Sequence, residues 1–208
     1  MEEYRTVSHA GEGEYSEKRS RFISAAVPVS NEQEALDFIA ERKSKFWDAR
    51  HNVYAYSLRE GNCRRYSDDG EPQGTAGVPT LDLLTRRGVA DVCVVTTRYF
   101  GGVLLGTGGL VRAYSHAAQA ALDAAGIVTM RPVIDCELLC EYFQYGRLEA
   151  LVSSFDTLDR QADFSGTVTL SFSVRREELE ALVKAVADAT SGQVRVMQKG
   201  TRCVAVQE

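Results

Sequence analysis

The stretch DVCVVTTRYFGGVLLGTGGLVRAY, Asp91 to Tyr114, carries the strongest instruction about fold in the chain. Asp91 to Thr97 is apolar and rich in β-branched residues, which predicts a central strand. Leu110, Val111, Tyr114, Ala118, Ala121, Leu122 and Ala125 recur at helical spacing, and Gly126 is placed to end that helix. Between strand and helix, five glycines fall within Gly101 to Gly109, of seventeen in the whole chain. Such a loop has two physical uses. A helix start offers unpaired N–H groups and a favourable dipole to an anion. Glycine also lets backbone pack where a Cβ would collide. The common phosphate motifs are not met. Thr107 stands where a P-loop has lysine after its last glycine, and Val111 where the dinucleotide fingerprint has a third small residue. Both uses therefore stay open.

Outward from this stretch, Arg21 to Val29 reads as a strand, and Asn31 with Glu34 forms a capping box for a helix bearing Leu36, Phe38 and Ile39. Asn52 to Leu58 alternates like a strand. Ser67 to Gly77 is turn chemistry, and Pro79 suits a first helical turn, with Leu81 and Leu84 following. The segment before Lys18, with His9, reads as a polar tail and not as a signal peptide. Near Pro132 the chain changes character. Ile134 to Tyr142 alternates, Leu148 to Phe155 is helical, and Thr157 to Phe164 reads as a strand. Val168 to Val174 alternates again, Leu179 to Val186 is helical, and Val194 and Val196 open a last strand. The order β-α-β-β-α-β is that of a ferredoxin-like domain. The expected organisation is α+β in two domains, residues 1–131 and 132–208.

Composition bounds the function. The 208 residues are 44% hydrophobic and 25% charged, ordinary for a globular protein. The net charge is -5. Residues 1–130 hold fifteen Lys/Arg against seventeen Asp/Glu, and the remainder nine against twelve. A nucleic-acid site must then be a local patch. No apolar run is long enough to span a membrane. Five cysteines without a CxxC pair read as reduced thiols of a cytoplasmic protein.

Three groups of residues are candidates for a site. The first is the loop itself, with Tyr99, Gly101, Gly102, Gly106, Thr107, Gly108 and Gly109 set to bind RNA or phosphate. The second is YSDDGEPQGTAGVP, Tyr66 to Pro79, where Asp68, Asp69 and Glu71 can hold a hard cation or an arginine, or simply form a turn. The third is a scatter of cations among aromatics. Lys18, Arg19, Arg21, Arg50, Arg64, Arg65, Arg98 and Arg112 lie among Tyr54, Tyr66, Tyr99 and Phe100. That mixture suits single-stranded nucleic acid, and equally a solvated surface. Arg98 at the end of an apolar strand needs a partner if buried, and a structural carboxylate such as Asp68 or Asp69 and a ligand are equal alternatives for it. No catalytic constellation or cofactor motif is evident.

Four motifs together resemble the IMPACT/YigZ family: KRSRFIS from Lys18, DARHNVYAY from Asp48, YSDDGEPQGTAGVP, and RYFGGVLLGTGGLVRAY. They cover most of residues 15–125, in the family's order. The resemblance implies an N-terminal α/β sandwich like the second domain of ribosomal protein S five. It implies a C-terminal ferredoxin-like domain similar to the fifth domain of elongation factor G. Eukaryotic members restrain a kinase that phosphorylates a translation initiation factor, and carry an additional RWD domain ahead of these motifs. With the first motif at Lys18, the sequence is similar to the bacterial type. The expected role is translation-associated and non-catalytic, with RNA or the ribosome as partner. A phosphate- or nucleotide-binding enzyme and a protein–protein adaptor are the alternatives.

Overall fold

The computed structural model describes residues 2–206. The chain divides into two compact units, Tyr4–Thr129 and Met130–Val206, with residues 2 and 3 joining the second.

In the first unit the strands are β1 (Tyr4–Val7), β2 (Gly11–Glu17), β3 (Ser20–Pro28), β4 (His51–Ser57), β5 (Arg64–Ser67) and β6 (Val92–Tyr99). The helices are α1 (Glu32–Lys45), α2 (Gly77–Arg87) and α3 (Thr107–Ala125). Five strands form one sheet in the order β2-β3-β6-β4-β5, and β6 is central as its apolar run predicts. The neighbouring strands of this sheet pair antiparallel. Alternation along β6 sends Val92 and Val94 to one face and Cys93 and Val95 to the other. The first face packs under α2 and α3, with Ala26, Ala55, Leu84, Ala118 and Leu122. The second packs under α1, with Ala35, Ile39 and Tyr56. This is the expected α/β sandwich. Asn31 caps α1, its side chain accepting from the Glu34 N–H at 2.9 Å.

The polar N-terminal segment is not a tail. It forms β1 and the edge strand β2, and the Ser8 N–H donates to the Gly126 carbonyl at 2.7 Å. Gly11 and Gly13 explain why the segment looks unlike a strand. A Cβ on Gly11 would lie 2.2 Å from the Ala125 nitrogen, and one on Gly13 2.6 Å from the Ala120 carbonyl carbon. These positions face α3 so closely that no side chain fits, so the hydrophobic signal of a buried strand is missing.

The second unit contains most of β7 (Ile127–Cys140), then α4 (Tyr142–Ser153), β8 (Thr157–Phe164), β9 (Val168–Arg175), α5 (Leu179–Thr190) and β10 (Val196–Val206). The strand order is β10-β7-β9-β8, the ferredoxin-like arrangement that the element order predicts. One face of the sheet supplies Ile134, Cys136, Leu138, Leu170 and Phe172 to a core shared with Leu148, Val152, Leu182 and Val186 of the helices. No disulfide joins any of the five cysteines. Burial pushes the Cys93 thiol up to about 12, and burial, then the charge of Asp135, pushes that of Cys136 up to about 11. Neither is a reactive thiolate at neutral pH.

Candidate functional site

The four motifs converge at one end of the N-terminal sheet, where β3 begins, β4 begins and β6 ends. Register places Phe22, Arg98 and His51 side by side across three strands. Arg98 shares the inner face with Val92, Val94 and Thr96, and its side chain is 7% exposed. Its partner is Glu71, at 2.7 Å, and not Asp68 or Asp69. Glu71 is itself buried and also accepts from the Tyr114 hydroxyl of α3 at 2.8 Å. Burial, and then the Glu71 charge, raise the Tyr114 hydroxyl well above its ordinary range, so it remains a donor. His51 Nε2 lies 4.0 Å from Glu71, and the Ser20 hydroxyl accepts from the Gly101 N–H at 3.2 Å. This polar cluster joins β3, β4, β6, the loop after β5, and α3.

The acidic loop is likewise committed to structure. The Asp68 carboxylate accepts from the backbone N–H groups of Gly74, Ala76 and Gly77, at 2.8, 3.0 and 2.8 Å, and so closes the turn into α2. Asp69 pairs with Lys43 at 3.0 Å and accepts from the Asn52 N–H at 2.7 Å. The three acids point to three different sets of partners. Among the described residues, no group of three or more His, Cys, Asp or Glu side chains is arranged to hold a metal ion.

Outside this interior cluster lies an open rim. Gly102, Gly106, Thr107 and Gly108 are exposed, and Leu104 is 82% exposed. Gly106, at φ 73°, is the N-cap of α3 and brings no side-chain cap, and the first turn holds no acid. The opening N–H groups of α3 are thus left to an external acceptor. Among the described residues, a Cβ on Gly102 or Gly106 would meet no atom within 4 Å beyond its chain neighbours. Their positive φ, and not close packing, is what calls for glycine there. Gly109 is tighter, with Leu105 Cβ at 3.0 Å. Gly101 is the one loop glycine pressed on backbone, since its Cβ would lie 2.0 Å from the Arg19 carbonyl carbon.

That approach brings the β2–β3 hairpin tip, Lys18 and Arg19, to the loop. Arg112, one turn into α3, reaches back until its Nη1 lies 3.9 Å from the Cβ position of Gly108. The charge of Arg112 also acts on Tyr15 of β2. Lys18, Arg19 and Arg112 are exposed and form no ion pair among the described residues.

The expected arginines do not share one face. Arg64 and Arg65 are exposed on the edge strand β5, opposite Ser57 and Tyr56. Ser57 pairs with Val92, six positions along β6 from Arg98. Arg64 is therefore roughly 20 Å along the strand direction from the loop. Neighbouring side chains on a strand also point to opposite faces, so Arg64 and Arg65 diverge. Alternation along β6 was the sequence signal that Arg98 turns inward. Nothing local marked Tyr114 as the second donor to Glu71.

The fold and this end of the sheet define a class: a two-domain α+β protein with an α/β sandwich followed by a ferredoxin-like domain. Residues 18–122 match the model of the Impact N-terminal domain, and residues 138–193 match a domain of unknown function (DUF1949). The IMPACT family member YvyE of Bacillus subtilis (strain 168) is 37% identical over 92% of this chain and 89% of its own. The IMPACT family member YigZ of Escherichia coli (strain K12) is 33% identical over 86% and 90%. The chain belongs to the IMPACT family. Protein IMPACT of Bos taurus is 34% identical over 44% of this chain and 30% of its own. A solved structure, described as the crystal structure of a hypothetical protein, superposes with a TM-score of 0.61 at 30% identity, over 96% of this chain and 98% of that one.

Proposed function

We propose that the protein is a non-catalytic, cytoplasmic, translation-associated factor that binds RNA, on the ribosome or free, through the rim of its N-terminal domain. One observation carries this reading: Arg112 lies over the uncapped start of α3, the loop leading into that helix is seated through Gly101 on the hairpin tip that carries Lys18 and Arg19, and none of these cations has an anionic partner among the described residues. Unpaired cations beside free helix N–H groups suit a phosphate backbone. The resemblance to a family whose eukaryotic members act in translational control gives the cellular setting. The arginines of β5 are not part of this site.

The test is binding of purified protein to short RNA and to ribosomes over a salt series. Affinity should fall steeply with salt. A Lys18→Ala/Arg19→Ala/Arg112→Ala variant should bind weakly and with a shallower salt slope. On a single strand the slope should shrink by roughly 0.7 for each phosphate that is no longer neutralised. Undiminished binding by that variant, or no binding at low salt, would overturn the proposal.

A further inference from the structure

We infer that the Phe100 ring is a platform for one unpaired nucleobase, so that the RNA held at the rim is single-stranded. This rests on the RNA reading above and adds the class of RNA. Phe100 follows directly on β6 and is 57% exposed. An exposed aromatic ring gives a defined stacking surface only if its position is fixed, and here it is fixed from two sides. The buried Arg98 guanidinium lies 5.6 Å from the ring centre, within reach of a cation–π contact. The next residue, Gly101, is bound to Ser20 and lies too close to the Arg19 backbone to admit a Cβ, which pins the chain beside the ring. Arg98 is held in turn by Glu71. The interior cluster and the exposed ring are therefore one assembly.

The surroundings of the loop favour a negatively charged occupant. Gly101 seats the loop on the hairpin tip that carries Lys18 and Arg19, and Arg112 lies over the start of α3. Together they supply positive charge suited to a polyanion. The other aromatics proposed from sequence offer no second platform here. Tyr54 is half-buried and stacked on Tyr56 at 6.2 Å. Tyr99 donates its hydroxyl to Asp48 at 2.7 Å. Tyr66 lies on the edge strand β5, two strands over from β6. In a duplex both faces of each base are already stacked, so only an unpaired base can use a lone ring.

The decisive measurement compares three short RNAs of equal length by fluorescence anisotropy: a single strand, a fully paired two-strand duplex and an abasic strand. Wild type, Phe100→Ala and Phe100→Trp are each tested. Wild type should prefer the single strand by roughly tenfold, within the range of base stacking on an aromatic ring. Phe100→Ala should lose that preference while keeping the salt slope, and Phe100→Trp should restore it. Equal affinity for the three RNAs, or full preference in Phe100→Ala, would overturn the inference and leave the RNA reading standing. Failure of every RNA to bind would remove both. Urea unfolding of each variant separates loss of fold from loss of the platform.

Discussion

The glycines of β2 and the glycines before α3 are the same residue in opposite roles. Gly11 and Gly13 stand alone in a polar strand and lie against the backbone of α3. The loop glycines are conspicuous, yet a Cβ on Gly102 or Gly106 would meet none of the described residues within 4 Å beyond its chain neighbours. The arginines divide the same way. Arg98 is sealed inside by Glu71, whereas Arg112 lies open over the helix start. The difference teaches that a motif rich in one residue type can be half scaffold and half surface. Packing by distant segments decides which half is which.

Substitutions can break this division or sharpen it. The largest effect is expected from Glu71→Ala, which strands a buried guanidinium and leaves the Tyr114 hydroxyl without its acceptor. Loss of one partner of a buried ion pair costs about 3–5 kcal/mol, to be read from urea unfolding. Next comes Gly13→Val, which forces β2 off α3 and should cost on the order of 3 kcal/mol or fail to give soluble protein. A near-silent Gly13→Val would undo the claim that no side chain fits between this position and α3. Asp68→Ala removes the acceptor for three N–H groups at the entry to α2 and should cost about 2 kcal/mol.

Gly108→Ala sharpens the contrast. Its Cβ would have only Arg112 Nη1 nearby, at 3.9 Å, and its φ is not positive, so stability should hold or rise by up to about 1 kcal/mol. The smallest effect belongs to Arg64→Ala on β5. Stability should stay within about 0.5 kcal/mol, and RNA affinity should be unchanged. Weakened RNA binding in Arg64→Ala, measured by anisotropy, would move the proposed face away from the loop.

Much of the architecture was legible from local pattern, and particular elements show why. The β6 run and the α3 stripe announce themselves because burial demands periodic apolar side chains. The C-terminal βαββαβ order followed from alternation in Val168–Arg175 and helical spacing in Leu179–Thr190. β2 escaped because strand detection relies on side chains, and Gly11 and Gly13 have none to show. β5 escaped because an exposed four-residue edge strand, Arg64–Ser67, needs no apolar face.

By itself, then, the sequence determined two α+β domains, a strand–glycine loop–helix passage and a supply of cations. These follow from short-range rules of periodicity, capping and turn chemistry. Tertiary structure alone decided that Glu71, and not Asp68 or Asp69, neutralises Arg98. It alone brought the hairpin tip to the loop and left Arg64 at the far end of the sheet. Those outcomes depend on register between strands distant in the chain, where a shift of one residue moves a side chain to the opposite face.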